Sequence, residues 1–161
     1  MEKIPQENPR PNWEEYFIAI VDAVALRASC DRGKSGCIIV KDNRILSTGY
    51  VGAPTGFKNC YEAGHLIREV IYENGEVKQH CVRTIHAEQN AIISAAKFGI
   101  AIQGATLYCT LEPCTTCAML ITSAGIKKVV AKYKYHASKA TIEILKEAGV
   151  ELIVVNSKYS Y

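Results

Sequence analysis

Two short segments bring together residue types that can bind a metal and move a proton. His86-Ala87-Glu88 places an imidazole two residues ahead of a carboxylate, and Pro113-Cys114-Thr115-Thr116-Cys117 places two thiols three residues apart. Residues at that spacing share one face of a helical turn, so Cys114 and Cys117 can reach one ion together. Each segment falls where the surrounding pattern predicts the start of a helix. The dipole and free N–H groups of a helix start favour thiolate over thiol. Two thiolates and a neutral imidazole supply three of the four ligands of a tetrahedral zinc ion and leave one position for water. The thiolates also cancel the ion's formal charge, and zinc lowers the pKa of water far below its bulk value. Glu88 is not needed as a ligand, so its carboxylate can carry a proton between that water and a substrate. His86, Cys114 and Cys117 are therefore the expected ligands of a catalytic Zn2+, with Glu88 as the acid–base residue. Either segment alone has a plainer reading, a chance His-x-Glu or a redox or structural Cys-x-x-Cys.

These residues need elements to hold them. Residues 13–28 carry Phe17, Ile18, Val21, Val24, Ala25 and Ala28 at helical spacing, with Asn12 as N-cap. Residues 36–40 and 44–51 read as two strands around a Lys41-Asp42-Asn43 turn. Residues 52–83 contain Gly52, Pro54, Gly56, Gly64 and Gly75 and read as a long loop with a short helix over 64–72. A loop that long in a small domain is functional or needs tying down. Beyond it the pattern alternates: helix 86–98, strand 105–110, helix 114–124, strand 128–131, helix 138–148 capped by Ser138, strand 150–155. Alternating helices and apolar strands predict an α/β sheet covered on both faces, and the opening hairpin makes that sheet mixed. Cys37 and Cys109 fall within strands and read as packing residues.

The whole chain is consistent with this. Its 161 residues suit a single domain over 1–161, and 48% hydrophobic against 22% charged residues provide for a packed interior. No apolar run approaches the roughly 20 residues that span a bilayer, and the polar, proline-containing start has no signal-peptide core. A cytoplasmic location with no membrane partner is expected. The net charge of +3 is mild, and the lysines between 127 and 139 read as a solvated face rather than a nucleic-acid groove. Seven cysteines without a secretion signal point to metal ligands and core thiols rather than disulfides.

His-x-Glu followed by Pro-Cys-x-x-Cys, each opening a helix, is the known signature of zinc-dependent nucleobase deaminases. The sequence resembles the cytidine and deoxycytidylate deaminase superfamily and, within it, the deoxycytidylate (dCMP) deaminases. The likeness runs over roughly residues 13–154. It includes Trp13-Glu14-Glu15-Tyr16-Phe17, Gly36, Gly49-Tyr50, His86-Ala87-Glu88-Gln89-Asn90-Ala91-Ile92 and Gly104-Ala105-Thr106-Leu107-Tyr108. It continues through Pro113 to Cys117, Ala124-Gly125-Ile126-Lys127 and Ala148-Gly149-Val150. The resemblance implies a three-layer α/β/α fold of the cytidine-deaminase type with a mixed five-stranded sheet. It implies hydrolysis of a small-molecule nucleotide, dCMP to dUMP and ammonia, by a homo-oligomer, a dimer or hexamer.

Tyr135 falls near a tyrosine that many relatives place by the substrate; its other reading is a surface aromatic. One departure concerns Val51, which stands where the family usually has asparagine in Gly-Tyr-Asn-Gly. That asparagine normally touches the sugar or base, and valine can neither donate nor accept a hydrogen bond. The reaction type is unaffected, while the substrate's sugar and any triphosphate regulation are left open. Some phage and bacterial relatives carry a second zinc, and Cys30 and Cys60 match its first two ligand positions. With His65 and Cys81 they would make a closed, structural Zn2+ site that staples the long loop. His80 competes with His65, but the neighbours His80 and Cys81 would diverge in most backbones, which favours His65. The plain alternative is four ordinary thiol and imidazole side chains. Two other functions share the signature: deamination of another cytosine compound or of RNA adenosine, and a zinc-bound regulatory module without activity. The retained Glu88, which structure alone does not require, argues against the module.

Overall fold

The structure is a computed structural model and describes residues 9–72, 74–135 and 139–159. In chain order the elements are α1 (Trp13–Ala25), β1 (Gly36–Lys41), β2 (Arg44–Tyr50), α2 (Cys60–Ala63), β3 (Ile67–Ile71), β4 (Val77–Cys81) and α3 (Ala87–Lys97). They continue as β5 (Thr106–Leu111), α4 (Thr115–Ser123), β6 (Lys128–Lys134), α5 (Lys139–Glu147) and β7 (Glu151–Tyr159). The main sheet has five strands in the order β2-β1-β5-β6-β7. β1 is antiparallel to β2 and β5, whereas β5, β6 and β7 run parallel. The mixed five-stranded sheet expected from the sequence is thus the one found.

α1 begins with a reciprocal cap. Asn12 Oδ1 accepts from the Glu15 N–H at 2.9 Å, and the Glu15 carboxylate accepts from the Asn12 N–H at 3.0 Å. The helix buries Phe17, Ile18 and Val21 against Ile38, Val40, Tyr108 and Val130 on one face of the sheet. The opposite face packs Cys37, Ile39, Leu107, Cys109 and Val129 against Ala91 and Ala95 of α3, Ile121 of α4 and Leu145 of α5. Alternate residues of each strand thus serve two cores, as strand geometry requires. Cys37 and Cys109 are register partners with no exposed surface, and burial holds both thiols protonated.

Two glycines set the distance between helices and sheet. A Cβ on Gly36 would lie 2.6 Å from the Val21 carbonyl oxygen, and one on Gly49 would lie 2.3 Å from both Ala87 O and Ala91 N. α1 and α3 therefore rest directly on the backbone of β1 and β2. Asp42 and Asn43 both have positive φ, 50° and 58°, which makes the β1–β2 connection a two-residue turn that matches strand twist.

The structure corrects the reading of 64–72 as a helix. The short helix is α2, just upstream, and 67–71 is the first strand of a separate two-stranded antiparallel sheet, β3–β4. Ile67, Val70 and Ile71 are β-branched and favour strand, and Asn74-Gly75 supplies the turn, with Gly75 at φ 80°. The first helix also stops at Ala25, three residues early, because the chain turns so that the Ser29 N–H can reach Val51 O at 3.0 Å. Ser138, predicted to cap the helix that became α5, lies outside the described residues. Among the described residues no helix is long and apolar enough to cross a membrane.

Candidate active site

α3 and α4 point their N-termini at the same place. His86 is the N-cap of α3 and Cys114 the N-cap of α4, with Glu88 and Cys117 in the first turns behind them. α4 starts where the parallel strand β5 ends, the edge of an α/β sheet where ligands bind. α3 is held in register with β2 by three contacts. Ser47 Oγ donates to Ala91 O at 2.7 Å, Asn90 Nδ2 donates to Tyr50 O at 2.6 Å, and Gly52 pairs with Ile85 just ahead of the helix.

The three ligand atoms converge. His86 Nδ1 lies 3.5 Å from Cys114 Sγ and 3.4 Å from Cys117 Sγ. A tetrahedral zinc ion with bonds of about 2.3 Å to sulfur and about 2.0–2.1 Å to nitrogen separates sulfur from nitrogen by about 3.6 Å. The donor set therefore fits the ion without rearrangement, and Nδ1 is the imidazole atom that faces it. Glu88 is 5% exposed, and its Oε2 accepts from Cys117 Sγ at 3.7 Å. In the metal-free cluster Cys117 donates to Cys114, and that bond, with His86 opposing the effect of burial, holds the Cys114 thiol at about 4. The Cys117 thiol is correspondingly pushed up. The bond that the His86 imidazolium donates to Cys114 raises the His86 imidazole, and burial raises the Glu88 carboxyl. One proton acceptor of raised affinity beside a thiolate-rich metal pocket is the pattern of an acid–base site.

Cys30, Cys60, His65 and Cys81 form a second cluster, with all donor atoms within 4.8 Å of one another. Cys60 Sγ lies 3.8 Å from Cys81 Sγ, and Cys30 Sγ lies 3.8 Å from His65 Nδ1. Two sulfurs on one tetrahedral zinc ion are separated by about 3.8 Å. His65 Nε2 meets Asp31 Oδ1 at 2.9 Å, the carboxylate–histidine arrangement that orients imidazole ligands. Burial, then hydrogen bonding to Cys30 and Cys81, push the Cys60 thiol up to about 12. Burial raises Cys81 too, but backbone hydrogen bonds at Arg83 and Leu66 and the His65 side chain outweigh it and hold that thiol at about 7. His80 is outside the cluster: its Nε2 lies 2.7 Å from Tyr72 Oη. Burial and then the positive charges of His86, Arg32 and Lys78 lower the His80 imidazole.

A cavity of about 440 Å³ lies between the two clusters, within the range of about 300–1,000 Å³ usual for small-molecule sites. His86, Glu88 and Cys114 line it together with Cys30 and Cys81 of the second cluster. Val51 and Tyr135 both reach it. Tyr135 is held by its N–H, which donates to the buried carboxylate of Glu112 at 3.1 Å. Residues 52–56 do not line it. Sequence reasoning missed Asp31, Arg32, Lys78 and Glu112. The one available signal was position: Asp31 and Arg32 follow a ligand cysteine, and Lys78 and Glu112 closely precede ligands.

Zinc-dependent deaminases are the class in which a sheet of this kind and this donor set occur together. The model of the cytidine and deoxycytidylate deaminase zinc-binding region matches residues 11–133, and the chain belongs to that family. It is 40% identical to the deoxycytidylate deaminase of Mycobacterium phage D29, over 75% of this chain and 94% of that one. It is 37% identical to the deoxycytidylate deaminase of Schizosaccharomyces pombe over 89% of this chain, and it spans 44% of that longer relative. Among solved structures, the dCMP deaminase of cyanophage S-TIM5 in complex with dCMP and dUMP superposes with a TM-score of 0.70. Identity there is 33%, over 90% of this chain and 98% of that one.

Proposed function

We propose that the chain hydrolyses the exocyclic amine of a cytosine deoxynucleotide, converting dCMP and water to dUMP and ammonia. The observation that carries this reading is the buried Glu88 carboxylate beside the His86, Cys114 and Cys117 donor set, on the wall of a nucleotide-sized cavity. Those three residues would hold zinc, which when bound supplies the Lewis acidity that makes water reactive at neutral pH. Glu88 moves the protons. Its carboxylate takes one from the attacking water and delivers it to ring N3. The second leaves the oxygen now on C4 and passes through Glu88 to the amine, so the C4–N bond breaks and ammonia departs. Val51 and Tyr135 would contact the bound nucleotide from the cavity wall.

The relatives named dCMP deaminases support this substrate over RNA. The chain would act in the cytoplasm, where its thiols stay reduced. Exposed Ile93 and Phe98 on and after α3, with Met119 and Leu120 on the adjacent α4, support a homo-oligomer, checked by light scattering. A second zinc would sit in the Cys30, Cys60, His65 and Cys81 cluster as a structural ion. The test of the activity is a screen of purified zinc-loaded protein against dCMP, CMP, deoxycytidine and base-modified forms, scored by ammonia release with and without dCTP. Turnover of dCMP above the others is expected; no ammonia from any cytosine compound would sink the reading.

A further inference from the structure

The proposed reaction leaves one buried acid on the cavity wall unused. Glu112 is 4% exposed and lines the cavity two residues before the ligand Cys114. A carboxylate buried to that degree is costly unless it is paired or hydrogen-bonded. Among the described residues no lysine, arginine or histidine lies within ion-pair distance of it. What it holds instead is backbone: Glu112 Oε2 accepts from the Tyr135 N–H at 3.1 Å. The Glu112 N–H in turn donates to Tyr133 O at 3.1 Å. One residue thus grips the end of β6 twice, on either side of the irregularity at Tyr133 and Lys134.

The path from that grip to the metal ligands is short and stiff. Pro113 is fully buried, and a residue before proline is confined to extended backbone. Cys114 then caps α4. Half-buried Tyr135 lines the same cavity as Glu88 and Cys114. Its place relative to Cys114 is therefore set by a charge-assisted bond, roughly twice as strong as a neutral one. A neutral acceptor would serve the N–H with less desolvation but would give a softer tether. We propose that Glu112 is a positioning residue for the deamination: its carboxylate fixes Tyr135 against the start of α4, so that Tyr135 bounds the space in which the nucleotide is held. This rests on the nucleotide deaminase reading. In this role Glu112 touches no reacting atom and acts through Tyr135. An acid–base role would need its ionisable group, and a purely structural role would show in zinc content.

The experiment has a ligand-free arm and a ligand-bound arm. Tyrosine-selective isotope labelling of zinc-loaded protein reads exchange of the Tyr135 amide by NMR, and calorimetric titration with dUMP reads the cavity. E112M keeps most of the volume and removes the acceptor, with E112A as a second such variant. E112Q keeps an acceptor oxygen without the charge. In E112M the Tyr135 amide should exchange at least about tenfold faster, the loss of a bond to a charged group. Affinity for dUMP should fall at least about fivefold, the scale of a displaced aromatic contact. E112Q should recover most of both. Y135A alone should weaken dUMP, and adding E112M to it should cost less than about twofold more, because the two act as one unit. Zinc content should match wild type throughout. Equal damage in E112Q and E112M, full additivity of E112M with Y135A, or unchanged Tyr135 exchange in E112M would each overturn the proposal. Loss of zinc in both E112M and E112A would do so too, by making Glu112 a support of the metal site itself. Failure of the deaminase reading shows separately, as absence of ammonia release from wild-type protein, and leaves the exchange arm readable.

Discussion

Replacing Glu88 by glutamine separates the proton-moving role from every structural one. The side chain is 5% exposed and sits 3.7 Å from Cys117 Sγ, so it has a fixed place beside the metal site without being one of its three ligands. Glutamine has the same shape and keeps a carbonyl oxygen at that place, but it cannot take a proton from water. General acid–base assistance is worth about 10² to 10⁴ in rate. In the proposed reaction one carboxylate serves both proton transfers, so the loss should lie at the upper end, about 10⁴ in kcat/KM, or about 5.4 kcal/mol at 1.36 kcal/mol per factor of ten. Stability should move the other way. Burial raises the Glu88 carboxyl above its usual range, so the folded metal-free chain holds that proton more tightly than the unfolded one. The stability contributed by the protonated form is fully present below the unfolded pKa and is lost as pH rises through the folded one. At neutral pH the metal-free E88Q protein should therefore be at least as stable as wild type, and its advantage should fade as pH falls toward 4. The assays are ammonia release, zinc content by mass spectrometry and thermal melting of chelated protein. Turnover near the wild-type rate with zinc fully loaded would refute the mechanism. Loss of zinc along with activity would show that Glu88 holds the site together instead of moving protons.

Four further perturbations test other links. G49A drives a Cβ to 2.3 Å from the backbone of α3, where no flexible side chain can yield. Overpacking of this kind costs about 1–3 kcal/mol. A drop in melting temperature of at least about 3 °C is expected, with weakened zinc retention because His86 rides on that helix. Fully loaded protein should carry two zinc ions per chain, and C60A should carry one; a single zinc in wild-type protein excludes the second site. In chelated protein Cys81, held at about 7, should be alkylated at neutral pH well before Cys60, pushed up to about 12, and zinc should protect both. On the α1 side, Lys132 Nζ donates to both carboxylate oxygens of Asp22 at 2.8 and 2.6 Å. Burial works against the Lys132 ammonium, but that pair outweighs it and raises its pKa, so the contribution is present below pH 10 and lost as pH climbs through the raised value. D22N should cost about 0.2–1 kcal/mol at neutral pH and nothing above that transition.

The catalytic donors were legible because their residue types are scarce and their spacing is local. His86 and Cys114 each open a helix, and two residues on, or three, lies the partner that the same helical turn must bring alongside. Strand and helix periods gave the main sheet for the same reason: β1 and β5 bury most of their residues, β6 buries its apolar run Val129 to Ala131, and α1 repeats its apolar face every turn. The misreading of 64–72 arose where that signal is absent. Every residue of β3 is exposed, so burial left no periodic trace to tell strand from helix. Arg32 and Lys78 were equally hidden, because a cation facing a cavity and a cation facing solvent are written with the same letters.

The exposure of β3 has a thermodynamic consequence that bears on the second metal. A two-stranded hairpin is marginal in water without a packed face. Ordering the chain between β2 and α3 costs roughly 1–2 kcal/mol of backbone entropy for each residue. Apolar burial is a weak counterweight here, since Leu66, Ile67, Val70, Ile71 and Val77 remain exposed. What does converge is the cluster itself, which draws one side chain from the turn after α1, one from α2, one from the following loop and one from the end of β4. A structural zinc site contributes about 10–16 kcal/mol to folding in small domains, which is the scale the hairpin lacks. Cys30 and Cys81 also line the cavity. Breaking the cluster should therefore loosen the part of the wall that Cys30 and Cys81 form while leaving α3, α4 and their own donors in place. Hydrogen exchange on C60A protein reads this directly: faster exchange across β3 and β4 with unchanged protection in α3 and β5 is expected. Uniform loss of protection, or none, would mean that the hairpin is held by something other than the cluster.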